Sequence, residues 1–289
     1  MTADLHFHSS CSDGSDSPTA LAALIAKLDL HYVALTDHDS VAGLEEFLGA
    51  LGPSQTAILG TEISVEREKG TLHVLLYGSG LMAPEFREIL ANLSWARATR
   101  NADIIDKARS MGLDITLEQV LAQAGTQDPY SKSVGRPHIA AVLVDHGYAS
   151  SIRDAFDRYL AKGQSLYRSR VLLDLETVTQ LAAHHGLAAV VAHPDTLGLT
   201  EPELDSFLEV LSTAGFSGLE AYYGTYSPAL RRDLAALAAH HGLVATGGSD
   251  YHGSYKPDIK LGTGNGDLAV PDSAGEELLA RIAALESSK

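Results

Sequence analysis

Seven short apolar runs punctuate the chain, and each passes into a polar cluster toward its C-terminal end. They are DLHFH from Asp4, YVALTDHD from Tyr32, AILGTEISVE from Ala57, LHVLLYG from Leu72, LAAVVAHP from Leu187, SGLEAYY from Ser217 and LVATGGSDYH from Leu243. Continuous apolar runs of this length are the pattern of strands buried on both faces. Between many of them lie amphipathic stretches, SPTALAALIAKL, SVAGLEEFLGAL and SPALRRDLAALAAHHG, opened by Ser or Ser-Pro and sometimes closed by Gly. A serine before a helix accepts from its free amides, and proline fits the first turn because its missing N–H would be unpaired there. Strand and helix in alternation predict an α/β fold with a mainly parallel sheet.

Two stretches repeat one another, LAAHHGLAAVVAHP from Leu181 and LAAHHGLVATGGSDYH from Leu237. Each reads as helix, glycine stop, strand and polar cluster, the αβ step of a barrel written twice. The pairs His184–His185 and His240–His241 fall at helix C-termini, where histidine interacts favourably with the helix dipole, and are not assigned as metal ligands. From about Ala83 to Arg170 the alternation stops, and residues 84–109, 116–124, 138–146 and 151–161 each predict a helix. The expected organisation is a barrel formed by residues 1–82 and 171–289, with a helical insertion at 83–170 covering the active site.

Composition narrows the chemistry. At 289 residues and 45% hydrophobic, the chain can bury the core of a large barrel. No apolar run approaches the roughly 20 residues of a membrane span, so a cytoplasmic protein away from membranes is expected. One cysteine, Cys11, excludes a disulfide framework and any cysteine-rich zinc site. With 21 Lys plus Arg against 37 Asp plus Glu, the formal charge of −16 opposes a broad basic face for duplex DNA. A small phosphorylated substrate stays compatible, because divalent ions and a few arginines can make a cationic pocket inside an acidic protein.

In an α/β barrel, chemistry gathers at the C-terminal ends of the strands. There the chain offers His6, His8, Asp37, His38, Glu62, His73, His193, Glu220, Asp250 and His252, with Asp13 on the loop after the first strand. Buried ionisable groups in such number are costly unless they are paired or bind metal. Residues i and i+2 of a strand share a face, so His6 and His8 can approach one ion together, as can Asp250 and His252. Imidazoles and carboxylates suit zinc, manganese or iron.

These residues, in the order HxH at His6 and His8, TDHD around His38, GTEIS around Glu62, LHVLLYG around His73, AHP at His193 and GSDYH from Asp250 to His252, resemble the PHP (polymerase and histidinol phosphatase) family of metal-dependent phosphoesterases. The resemblance implies a distorted seven-stranded (β/α) barrel and two or three divalent ions, manganese first, with zinc or iron as alternatives. It implies His6, His8, Glu62 and Asp250 around one ion, Glu62, His73 and His193 around the next, and Asp13, His38 and His252 around a third. The helical segment containing SVGRPHIA resembles the branch that includes nucleoside 3',5'-bisphosphate phosphatases and a related 5'-to-3' oligoribonuclease.

Arg136 offers a planar fork for phosphate, Pro137 starts a helix whose N-terminus favours anions, and His138, Lys132 and Asn101 are further candidate substrate contacts. The expected nucleophile is a water shared by ions held at Glu62, His193 and Asp250, with Asp37 orienting a ligand imidazole from behind. Ser9 and Cys11 lack a general-base partner. The expected activity is hydrolysis of the 3'-phosphate of nucleoside 3',5'-bisphosphates, such as adenosine 3',5'-bisphosphate, with Arg136 and its neighbours holding the 5'-phosphate. The alternatives are a 5'-to-3' exonuclease on short RNA, a histidinol phosphatase, and a non-catalytic metal-binding regulatory module.

Overall fold

A computed structural model describes residues 2–288. Each of the apolar runs contains a strand: β1 (Thr2–Phe7), β2 (Leu30–Leu35), β3 (Thr56–Ala57), β4 (Gly60–Val65), β5 (Leu72–Tyr77), β6 (Ala188–Val191), β7 (Gly218–Tyr223) and β8 (Val244–Gly248), followed by a short β9 (Val270–Pro271). The AILGTEISVE run divides in two, β3 pairing with β2 and β4 with β5. The strands form two sheets, ordered β3-β2-β1-β9 and β4-β5-β6-β7-β8. The sheets are mixed: β1–β2, β2–β3, β6–β7 and β7–β8 are parallel, whereas β4–β5, β5–β6 and β1–β9 are antiparallel. The departure from a mainly parallel sheet has a local cause. A short connection of EREKGT links β4 to β5 where a helical crossover would be needed for parallel pairing.

Isolated bridges join the two sheets at both edges of the five-stranded one, Phe7 of β1 with Tyr251 beyond β8 and His38 beyond β2 with Glu62 of β4. At the first of these edges Gly248 lets the backbones close, since a Cβ there would lie 2.4 Å from the amide nitrogen of His6. One apolar cluster draws on both sheets, with Leu5, Ala34, Leu75, Val190 and Val244 packed together with Leu278 and Ile282 of the last helix.

The helices are α1 (Pro18–Ile25), α2 (Leu44–Ala50), α3 (Pro84–Ser110), α4 (Leu117–Gln123), α5 (Arg136–Asp145), α6 (Ile152–Ala155), α7 (Leu175–His185), α8 (Glu201–Thr213), α9 (Pro228–His240) and α10 (Asp272–Ser287). Capping follows the sequence signals at α1, α7 and α9 but not at α2, which begins after Gly43 with no side-chain cap and leaves the expected opener Ser40 outside the helix. Ser17 and Ser227 accept from the amides of Ala20 and Leu230, ahead of Pro18 and Pro228. Gly186 ends α7 at φ 63°, a left-handed turn that suits glycine. The four helical stretches expected between residues 84 and 161 are α3, α4, α5 and α6, the last continued by a π turn at Phe156–Leu160. Ile104, Ile115, Val120, Ile139, Leu143 and Leu160 form a separate apolar cluster among them. No helix among the described residues is long and apolar enough to cross a membrane.

Asp4, fully buried on β1, ties three segments together. Its carboxylate accepts from the amides of Ser249 at 2.9 Å and Gly262 at 2.7 Å. Burial pushes its pKa up to about 6 against the pull of these hydrogen bonds. Replacing Asp4 with Ala would strand two amides in the interior. We expect a loss of about 2–4 kcal/mol in unfolding free energy by urea titration; a loss under about 1 kcal/mol would show that the amides find other partners.

Candidate metal centre

Alternation along β1 aims His6 and His8 to one side while Phe7 packs on the other against Leu21 and Phe47. The neighbouring strands deliver the rest: Glu62 from β4, His73 from β5, and His38, His193, Asp250 and His252 from the loops after β2, β6 and β8. His73 stands at the start of its strand, not at its C-terminal end, because β5 runs antiparallel to its neighbours. Asp13 enters on the loop after β1, and Gly135 abuts it, where a Cβ would lie 3.3 Å from Asp13 Oδ2.

The expected ligands converge on the Glu62 carboxylate, which is only 1% exposed. Its Oε2 lies 3.3 Å from His6 Nε2, 3.3 Å from His8 Nε2 and 3.1 Å from His38 Nδ1. Its Oε1 lies 2.8 Å from His73 Nδ1 and 3.0 Å from His193 Nε2. Asp250 Oδ1 is 3.2 Å from His8 Nε2, and Asp13 Oδ1 is 3.4 Å from His252 Nε2. Three groups bring their donor atoms within 4.8 Å of one another: His8, Asp13, His38 and His252; His6, His8 and Asp250; and His38, Glu62 and His73. His8 and His38 each belong to two of them.

The donor atoms fit divalent ions. His8 Nδ1, His38 Nδ1 and Asp13 Oδ1 are buried without a hydrogen-bond partner. Ring nitrogens face one another at 3.2 Å between His6 and His8 and at 3.3 Å between His73 and His193, separations that call for a cation or proton between them. An oxygen and nitrogen donor set without thiolate suits hard or borderline metals.

Burial opposes the charged form of each group, and the neighbours decide the outcome. Carboxylates of Asp250 and Glu62 lift His8 to about 9 in spite of burial, whereas burial holds His38 down to about 3 against the opposing pull of Glu62 and Asp13. Burial would raise Glu62, but His38, His73 and His6 keep it well below the usual carboxylate range. The carboxylates thus favour a proton on His8, and a metal at this position competes with it.

Asp37 does not fill the position expected of it. Its carboxylate accepts from the Ser9 amide at 2.8 Å, the Ser9 hydroxyl at 2.6 Å and the Ser12 hydroxyl. It braces the loop that carries Asp13 rather than orienting an imidazole. That task falls to Glu220, collected from the sequence without a role. Glu220 Oε1 pairs with His6 Nδ1 at 2.8 Å, and Oε2 accepts from the His193 amide at 2.7 Å. Positive φ among described non-glycine residues occurs at Asp39 (49°), His193 (25°) and Asp250 (53°), all in or beside the centre. Each such position costs of order 1–2 kcal/mol, a strain that clusters at functional sites.

Next to His38, the buried Asp39 carboxylate binds Arg97 from α3 and, at 2.7 Å, Arg170. Arg100 is also buried and, with Arg136, brings the local arginines to four. Burial, then Arg97 and Arg136, hold Arg100 well below its ordinary pKa. Arg97 Nε, Arg100 Nη2 and Arg170 Nη1 have no partner. Of the substrate contacts expected from sequence, Arg136 donates to the Leu160 carbonyl at 3.1 Å and lies over the Phe156 and Tyr167 rings. Asn101 donates to the Val134 carbonyl, His138 accepts from the Gly135 amide, and Lys132 donates to the Ala124 carbonyl. The sequence reading missed Arg97, Arg100 and Arg170, because arginines in a long helix and a loop read as solvated. The one signal for Arg97 and Arg100 was the run RATRN, which places them and Asn101 on one helical face, and Arg170 had none.

Outside this centre, His184 and His185 close α7 and His240 closes α9, as the dipole argument expected. His241, just beyond, pairs with Asp205 at 2.8 Å, and with His240 they form a further group of donor atoms within reach of one another.

Two outcomes follow for the centre. Glu220→Gln is expected to weaken manganese binding about 10–100-fold, measured by titration of the metal-free protein; an unchanged affinity would remove Glu220 from the centre. Because His8 must give up a proton held to about 9, manganese affinity should rise from pH 6 to pH 9. Calorimetry in buffers of different ionisation enthalpy would detect the released proton, and a pH-independent affinity would contradict it.

Comparison with known proteins places this geometry. A family model described as PHP domain matches residues 4–257. The 5'-3' exoribonuclease Rnm of Escherichia coli is 33% identical over 264 residues, spanning 90% of this chain and 87% of that protein. A 3',5'-nucleoside bisphosphate phosphatase of Chromobacterium violaceum is 31% identical over 255 residues, 86% of each chain. A crystal structure described as a metal-dependent phosphoesterase of Bifidobacterium adolescentis superposes with a TM-score of 0.83 at 31% identity, covering 96% of this chain and 95% of the other.

Proposed function

The chain belongs to the PHP-domain family, and we propose that it hydrolyses the 3'-phosphate of nucleoside 3',5'-bisphosphates, leaving the 5'-nucleotide and phosphate. The observation that carries this reading is the arginine cluster beside the ligand cluster. Four arginines gather where, among the described residues, Asp39 is the one carboxylate in an ion pair with any of them, holding Arg97 and Arg170, and three of their N–H groups lack partners. Buried positive charge in that excess is stabilised by an anion, and a guanidinium fork matches a phosphate. A substrate with two phosphates, one on the arginines and one over the ligand cluster, satisfies both ends.

In this reading His6, His8, Glu62, His73, His193 and Asp250, with Asp13, His38 and His252, hold two or three divalent ions. Such ions supply a water nucleophile at neutral pH and neutralise phosphoryl charge. Arg97, Arg100, Arg136 and Arg170 set the substrate's 5'-phosphate at a fixed offset, which selects for length and makes reading of the base unnecessary. Neither Ser9 nor Cys11 is set up as a nucleophile: the Ser9 hydroxyl donates to Asp37, and burial with the Asp37 charge pushes the Cys11 thiol up to about 11. The two sheets, bridged at both edges, are read as one distorted barrel, and residues 83–170 as the insertion that covers the site and supplies the arginines Arg97, Arg100, Arg136 and Arg170.

The 5'-to-3' exonuclease is the second reading, because a 5'-phosphorylated RNA presents the same two phosphates and the E. coli relative is named for that activity. Manganese-loaded protein given adenosine 3',5'-bisphosphate and a short 5'-phosphorylated RNA in parallel separates them. Conversion of the bisphosphate to 5'-AMP with slow RNA loss supports the phosphatase, and preferred stepwise release of nucleotides from RNA replaces it with the exonuclease. Arg100→Met and Arg136→Met should raise KM for the bisphosphate by 10-fold or more, since a charge-assisted hydrogen bond contributes about 1.5–3 kcal/mol. Turnover of p-nitrophenyl phosphate, which has no second phosphate, should change by less than about threefold. Equal losses on both substrates would sink the assignment of the arginines.

A further inference from the structure

The two oxygens of Asp250 have different surroundings. Oδ1 faces the imidazoles, 3.2 Å from His8 Nε2, 3.4 Å from His252 Nδ1 and 3.6 Å from His6 Nε2. Oδ2 is held from the opposite side by the Tyr223 hydroxyl at 2.6 Å and the Lys256 ammonium at 2.5 Å. Tyr223 is the last residue of β7, and its ring packs on those of His193 and Tyr226 with centroids 5.5 and 4.9 Å apart, so its hydroxyl is aimed by packing. Lys256 follows the turn Gly253–Tyr255, and although its side chain is 41% exposed its ammonium turns inward to Asp250. The Asp250 backbone is itself held in a left-handed conformation by the hydrogen bond from its amide to the His6 carbonyl at 2.8 Å.

We propose that Tyr223 and Lys256 are positioning residues that occupy Oδ2 of Asp250 and so leave Oδ1 alone to bind metal. A free carboxylate can rotate about χ2, and each rotation away from the imidazoles must be reversed before Oδ1 can meet an ion, which weakens binding without altering the loaded site. Two donors on Oδ2 remove that freedom. The tyrosine does this without charge, and the ammonium also offsets part of the negative charge that Asp250, Glu62 and Asp13 bring together. A lysine whose role was simple surface pairing would behave oppositely toward metal, because removing a cation near the site would tighten divalent-ion binding by Coulomb attraction alone.

This inference rests on the reading of the cluster as a metal centre, and manganese titration of the metal-free protein separates the two. Failure of the unaltered protein to bind manganese would overturn that reading. If it binds, Tyr223→Phe and Lys256→Met should each weaken the affinity about 10-fold, and the pair together more than either, the range seen when groups that hold a metal ligand are removed. Circular dichroism and thermal melting confirm that the variants are folded. At saturating manganese, kcat and KM for p-nitrophenyl phosphate should return to within about threefold of the unaltered protein. Affinity that is unchanged or tighter in both variants overturns the proposal. A KM that stays raised in Lys256→Met at saturating metal overturns it for Lys256, which would then contact substrate.

Discussion

A single buried carboxylate, Glu62, sets the terms for everything around it. Its two oxygens lie within 3.3 Å of nitrogens from five histidines carried by the ends of four strands or their loops. A carboxylate so enclosed is tolerable only where positive charge, from protons or from metal, surrounds it. Closing the His38–Glu62 bridge between the two sheets and turning β4 back into β5 by a short hairpin both serve to bring the imidazoles to it.

The second organising charge is Asp39, adjacent in sequence to His38. Its side chain points away from the imidazoles to Arg97 and Arg170, linking the helical segment to the ligand cluster. In a chain of net charge −16, four arginines drawn to one buried place are a concentrated exception. The overall charge describes the surface and says little about this interior, because a low-dielectric site is governed by the groups within a few ångströms.

Local strain accompanies this placement. Asp39, His193 and Asp250 all turn the chain through positive φ just beyond a strand end or within a loop of the centre. The surrounding packing sustains those conformations: Leu75, Val190 and Leu5 fill the shared interior, and buried Asp4 ties β1 to the segments at Ser249 and Gly262. Stability is thus stored away from the ligand cluster, where apolar burial and satisfied amides cost nothing in function.

The strands and most helices were legible in the sequence because hydrophobic period, Ser-Pro starts and glycine stops are local properties, and local sterics act on each segment alone. The identity of the candidate ligands was legible for a related reason. One HxH has an ordinary structural explanation, but His, Asp or Glu at nearly every strand end does not, because so many buried ionisable groups must be paired or hold metal. What the sequence left open were pairings between distant segments. The antiparallel course of β5, which brings His73 to the centre from the start of its strand, depends on the partner strand. That Asp37 braces Ser9 and Ser12 while Glu220 orients His6 depends on which carboxylate is a few ångströms nearer, and the burial of Arg97, Arg100 and Arg170 depends on where α3 docks. Such choices are made by distance and burial, and neither exists until the chain has closed on itself.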